Sequence, residues 1–91
     1  MMMSDYKLFY FTTPFCGICQ SVKPIIDILA QSLEIELKEI NMNYFENTIA
    51  GLVVRQTPAL ALIHKENVLV YYTDKINNLS DLYQRFTAHI S

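Results

Sequence analysis

The chain is poor in the features that mark specialised sequences. It has no internal repeat, no low-complexity tract and no proline- or glycine-rich linker, so residues 1–91 are read as one domain. Its only two cysteines stand at positions 16 and 19, a spacing that cannot staple distant segments as the disulfide framework of a small secreted fold does. Lysine and arginine number seven, scattered along a chain of net charge -2. No basic stripe is available to neutralise a phosphate backbone, and nucleic acid is not expected as a partner. The opening residues Met1-Met2-Met3-Ser4-Asp5 hold neither a basic leader nor an apolar run of signal-peptide length, and Pro24 interrupts the most apolar helical stretch. The expectation is a soluble cytoplasmic protein with no membrane association.

What is present is apolar surface. With 52% hydrophobic and 18% charged residues the chain reads as a packed globular domain, and at this size a minimal fold with a stability of roughly 5 to 10 kcal/mol is expected.

Lys7-Leu8-Phe9-Tyr10-Phe11-Thr12 is rich in aromatic residues and ends at Thr13-Pro14, the pattern of a buried strand. Val22, Ile25, Ile26, Leu29 and Leu33 form the stripe of an amphipathic helix over about 17–32. From Glu34 to Asn41, Ile35, Leu37 and Ile40 alternate with charged residues except for one irregular step, giving a second strand whose Glu34, Glu36, Lys38 and Glu39 are read as the outer face of an edge. Phe45, Ile49 and Leu52 fall at helical spacing, and Gly51 suits a helix end, so a short helix is predicted over 44–52. Thr57 to Ile63 is apolar on both faces, a central strand, and Lys65-Glu66-Asn67 turns it into Val68 to Tyr72 as an antiparallel hairpin. Leu79, Leu82, Tyr83, Phe86 and Ile90 predict a last helix capped by Asn77 or Asn78. The order is β-α-β-α-β-β-α, an α/β fold with a mixed four-stranded sheet flanked by helices. Tyr44, Phe45, Tyr71 and Tyr72 are read as core aromatics before docking residues.

The chemistry lies in Phe15-Cys16-Gly17-Ile18-Cys19, where the first strand gives way to the first helix. Free N–H groups and the positive end of the helix dipole stabilise a thiolate in that turn, so Cys16 is the candidate nucleophile. Cys19, one turn on, is the candidate resolving thiol. Gly17 leaves room for a substrate backbone, and Phe15 offers an apolar contact. The alternatives are half a zinc site or a core pair. A structural zinc site wants four ligands, and only His64 and His89 remain among the usual nitrogen and sulfur donors, in no finger-like spacing; no bound metal is expected.

Phe11-Thr12-Thr13-Pro14-Phe15-Cys16-Gly17-Ile18-Cys19, then Lys23-Pro24, then Val54-Arg55-Gln56-Thr57-Pro58-Ala59-Leu60, resembles the thioredoxin superfamily over nearly the whole chain. The resemblance implies a minimal thioredoxin fold and a thiol–disulfide oxidoreductase that acts on protein disulfides as a monomer. It also implies no bound cofactor, a redox-active Cys16-Cys19 disulfide, and electrons from a thioredoxin-reductase-like donor. It implies further that Thr57-Pro58 is a cis pair whose loop faces the disulfide, with the Thr57 backbone pairing with substrate. Pro24 resembles the proline that kinks the family's first long helix.

The chain departs from that pattern in three places. Phe15 stands where thioredoxins usually have tryptophan, and Ile18 where they have proline. Tyr10 stands where the family's buried acid assists the second cysteine, and no replacement base is evident. Glutaredoxins, the nearest alternative, bind glutathione through a Thr-Val-Pro turn and a Gly-Gly pair; Thr57-Pro58 and Thr73-Asp74-Lys75 have neither the valine nor the glycines, which favours protein substrates. A redox-regulated or redox-inert binding module is the rival reading from a different class, and a metal or iron–sulfur carrier using Cys16 a third.

Overall fold

The computed structural model describes residues 5–14, 16–42 and 47–90. The aromatic run forms β1, Tyr6–Thr12, and the amphipathic stripe α1, Gly17–Leu33. Strand β2, Glu36–Asn41, follows, then two short strands, β3, Asn47–Ile49, and β4, Leu52–Val54. β5, Ala59–His64, β6, Asn67–Tyr72, and α2, Leu79–Thr87, complete the order.

The main sheet has the order β2-β1-β5-β6. β1 and β2 are parallel, as the α1 crossover requires, and the other pairings are antiparallel. β1 and β5 are therefore the inner strands. Five of the six residues of β5 are buried, which accounts for a stretch apolar on both faces.

Alternation divides the side chains between two cores. Leu8 and Tyr10 of β1 and Leu60 and Leu62 of β5 meet Val22, Ile26 and Leu29 of α1 and Leu82 and Phe86 of α2. Phe11, Ala59, Ala61 and Ile63 point to the opposite face, where Val54 is buried among them and Ile49 and Leu52 pack against them. Among the described residues both helices thus lie on one face of the sheet, and the β3–β4 hairpin covers part of the other.

That hairpin corrects the helix predicted over 44–52. Residues 44–46, with Tyr44 and Phe45, lie outside the described residues; positions 47–54 run strand, turn, strand. Ile49 pairs with Leu52, so the loop is Ala50-Gly51, with φ of 49° and 82°. Left-handed backbone at both central residues is the mark of a two-residue hairpin whose twist matches its strands. The β-branched Thr48, Ile49, Val53 and Val54 favour extended chain, and the half-buried, exposed, buried sequence of Leu52, Val53 and Val54 has period two. Gly51 is a turn residue here.

Helix α1 runs on through Pro24, which sits on its exposed side and cannot donate to the Gln20 carbonyl. At its end Glu34 adopts φ 56° and its N–H closes on the carbonyls of Ala30 and Gln31. Asn78 is the residue that caps α2, its side chain accepting the Asp81 N–H at 2.9 Å. Arg85 pairs with Asp81 at 2.8 Å, lies 4.2 Å from the Tyr72 ring centroid and donates to the Lys75 carbonyl, which fastens the β6–α2 loop. Tyr72 stacks on Phe86 and Tyr71 packs into the second core. No helix among the described residues is long and apolar enough to cross a membrane.

Candidate active site

The backbone turns from β1 into α1 over Thr13 and Pro14, and the Cys16 N–H closes the turn on the Thr13 carbonyl at 3.2 Å. Cys16 is the N-cap of α1, with extended φ and ψ of -98° and 97°. The place a serine or aspartate oxygen usually holds is taken by sulfur: Cys16 Sγ accepts the Cys19 N–H at 3.0 Å. The two cysteines form a disulfide, with Cα atoms 5.2 Å apart. Cys16 is half-buried, whereas Cys19 is 2% exposed and belongs to the core under the helices. An incoming group therefore meets the Cys16 sulfur first.

Gly17 opens the helix on the exposed side, and a methyl group added there would meet nothing within 4 Å. Ile18 projects into solvent at 66% exposure. Beside it a shallow cleft of ≈ 220 Å³ is lined by Ile18, Val22, Pro58 and the loop 73–77. The Thr57–Pro58 peptide bond is cis, and both residues are half-buried at the entrance to β5. The fold thus brings Cys16, Gly17 and Cys19 into one turn and has Pro58 and Ile18 line one cleft; Phe15 lies outside the described residues.

On its other side Cys19 borders a second cleft, ≈ 290 Å³, lined also by Thr12, Gln20, Lys23 and Glu39. Lys23 Nζ lies 2.9 Å from Asp27 Oδ1 and 3.5 Å from Glu39 Oε1. The hydrogen bond to Asp27, helped by the charges of Asp27 and Glu39, outweighs partial burial and raises the Lys23 pKa. Tyr10 is fully buried and its hydroxyl donates to the Cys19 carbonyl at 2.7 Å. Burial first, and then the Glu39 charge, push its pKa up to about 12. Among the described residues no group of three or more His, Cys, Asp or Glu side chains is placed to hold a metal ion.

Lys23, placed in the first helix without a role, and Glu39 meet at this cleft although neither stood out as a site residue in the sequence. Glu39, read as outer-face charge, stands two positions from Leu37, which packs on the helix-side core, and so shares its face. The signal was the irregular step in the β2 alternation, where a carboxylate occupies a position that the period assigns to the core side.

A family model described as thioredoxin matches residues 2–88. The chain belongs to the thioredoxin family. A thioredoxin from Haemophilus influenzae is 36% identical over 61 residues, which make up 65% of this chain and 57% of that protein. The chain thus spans little more than half the length of this curated relative. Among solved structures, a mutant thioredoxin from Halobacterium salinarum superposes with a TM-score of 0.76 at 19% identity, over 97% of this chain and 77% of that one. Spinach chloroplast thioredoxin f gives 0.76 at 20% identity, over 97% and 73%. At such identities the superpositions show the thioredoxin fold, and the chemistry must be argued from the cysteine turn itself.

Proposed function

We propose that this thioredoxin-family protein is a thiol–disulfide oxidoreductase that reduces or exchanges protein disulfides through Cys16 and Cys19. The observation that carries the reading is the division of labour between the two sulfurs: Cys16 caps the helix and faces outward, and Cys19 is bonded to it from the buried side.

Reduction of the pair leaves the Cys16 sulfur at the helix N-terminus, where the Cys19 N–H and the helix dipole favour the thiolate. The thiolate attacks one sulfur of a substrate disulfide. A Cys16–substrate bond forms, and the other substrate sulfur leaves as a thiolate that takes a proton. Cys19 then gives up its proton and attacks the Cys16 sulfur, which closes the internal disulfide and releases the second substrate thiol. Two electrons pass from the dithiol to the substrate, and a reductase of the thioredoxin-reductase kind restores the dithiol.

The surroundings of Cys16 support protein over small-molecule substrates. The open space at Gly17, the exposed Ile18 and the shallow cleft that Pro58 lines suit an extended segment laid across the surface, to which the Thr57 main chain would pair as the resemblance implies. We place the protein in the cytoplasm, acting as a monomer and independently of nucleic acid and membrane.

The test is trapping. Reduced protein carrying Cys19→Ser is expected to accumulate a mixed disulfide with a disulfide-bonded protein such as insulin, while the unmodified protein turns over insulin in the presence of dithiothreitol and Cys16→Ser does neither. Turnover by Cys16→Ser equal to the unmodified protein would overturn the reading and leave the binding-module alternative.

A further inference from the structure

When Cys19 resolves the mixed disulfide it must lose a proton inside the fold, and the residue under its turn cannot take it. Tyr10 already gives its hydroxyl hydrogen to the Cys19 carbonyl, and a phenol pushed up to about 12 stays protonated at neutral pH. A carboxylate is nonetheless close by. Glu39 lies opposite Tyr10 in the parallel β1–β2 register and shares with Cys19 the cleft that Thr12, Gln20 and Lys23 complete. That space of ≈ 290 Å³ is far above the roughly 10 to 15 Å³ that one water needs, and it opens to solvent.

We propose that Glu39, held in place by Lys23, is the proton acceptor for Cys19 in the resolving step, through water in the shared cleft. The inference rests on the thiol–disulfide reading above. The Cys19 proton passes to the Glu39 carboxylate, the Cys19 sulfur attacks Cys16, the Cys16–substrate bond breaks, and the substrate thiolate leaves. Glu39 later returns its proton to solvent. Lys23 is the positioning residue: it stands between Asp27 and Glu39 on the α1 side and keeps the half-exposed Glu39 carboxylate turned toward α1. The groups facing Glu39 are Lys23 and Asp27 from α1 and Tyr10 from β1, with Lys38 beside it on β2.

The sign of the effect separates proton transfer from charge alone. A negative charge near Cys19 opposes formation of a second one, so a carboxylate acting only through its field would retard resolution, and its removal would speed the step. A proton acceptor does the reverse. Glu39→Gln is expected to slow resolution, followed by stopped-flow pH jump from a mixed disulfide trapped in acid, by roughly tenfold near neutral pH, below the roughly hundredfold or more usual for a general base because solvent also reaches the cleft. The deficit should shrink as the pH is raised, because hydroxide reaching the open cleft takes the proton without Glu39. Glu39→Asp should restore part of the rate, and Lys23→Met should lower it less than Glu39→Gln does. In the Cys19→Ser background Glu39→Gln should change the rate of mixed-disulfide formation far less than it slows resolution, since Cys16 gives up its proton at the helix N-terminus. A Glu39→Gln rate equal to or above that of the unmodified protein, or a deficit uniform in pH, would overturn the assignment. Absence of any mixed disulfide in the Cys19→Ser protein would instead remove the reading on which it rests.

Discussion

The fully buried hydroxyl of Tyr10 donates to the main-chain carbonyl of Cys19 at 2.7 Å, tying the inner strand β1 to the first turn of α1. The tyrosine thus spends its one polar group on holding the turn that carries the second cysteine.

Tyr10→Phe keeps the ring and its packing and removes that bond. The expected cost is about 1 kcal/mol at neutral pH, a fall in Tm of roughly 4 to 8 °C for a domain of this size. The alkaline side gives a second signature. With the folded-state pKa raised from 10.0 to about 12, the neutral phenol is favoured in the fold. Its contribution is fully present below pH 10 and is lost as pH rises through about 12. At about 1.4 kcal/mol per pH unit the loss over two units is on the order of 3 kcal/mol. Denaturant unfolding of both proteins from neutral to alkaline pH should show a stability difference that narrows above pH 10 and reverses sign before pH 12; parallel curves would contradict the burial of the phenol.

The reduced protein should react unequally with alkylating agents. Cys16 is half-buried at the helix N-terminus with an N–H donor on its sulfur, whereas Cys19 is 2% exposed in the core. Brief treatment with iodoacetamide at neutral pH, followed by peptide mass mapping, is expected to label Cys16 almost alone. Equal labelling would mean that the turn opens on reduction and that the two sulfurs do not hold separate roles.

The elements around the cysteines were legible because each has one dominant signal. The aromatic run of β1, the stripe of α1 and the doubly apolar β5 all read correctly, with ends displaced by one or two residues where caps and turns decide them. The segment after β2 was not legible in the same way. Phe45, Ile49 and Leu52 satisfy a helical spacing, and only the backbone reveals that Ala50-Gly51 adopts left-handed φ at both positions. At the site, Cys16 and Cys19 stood out through spacing and context. Lys23 and Glu39 did not, because they meet only when β2 is laid parallel to β1 beneath α1, and a glutamate on an edge strand reads as solvated charge.

Ala50→Asn distinguishes the two readings of that segment by sign. In a helix the change replaces the best helix former by a poor one and costs about 0.7 kcal/mol. In the turn, asparagine tolerates the left-handed conformation that alanine adopts only with strain, and Asn-Gly is the preferred pair. Thermal unfolding should therefore show Ala50→Asn stabilised, by about 0.5 to 1 kcal/mol; destabilisation would favour a helix there.

Ile18 presents a large apolar side chain to solvent between the two cysteines in the chain, on the rim of a cleft that Pro58 also lines. Because it is exposed, it contributes little to the folded state, and Ile18→Ser should change stability by less than about 0.5 kcal/mol. Its apolar area would be covered when a protein segment crosses the cleft. Burying one such side chain is worth about 1.5 to 3 kcal/mol, of which a surface contact that stays partly open recovers only a share. A fall of roughly five- to tenfold in kcat/KM for a protein disulfide, mostly through KM, is the expected result, following from about 1 to 1.4 kcal/mol of lost binding. A small disulfide such as dithionitrobenzoate does not reach across the cleft, so its reduction rate should fall far less. The comparison of the two substrates is the informative measurement, since serine also changes the neighbourhood of the Cys16 sulfur. A change in sulfur reactivity would move both rates together, and loss of a docking contact moves only the protein substrate. Equal losses would assign Ile18 to tuning the cysteine pair and leave the cleft without a part in substrate selection.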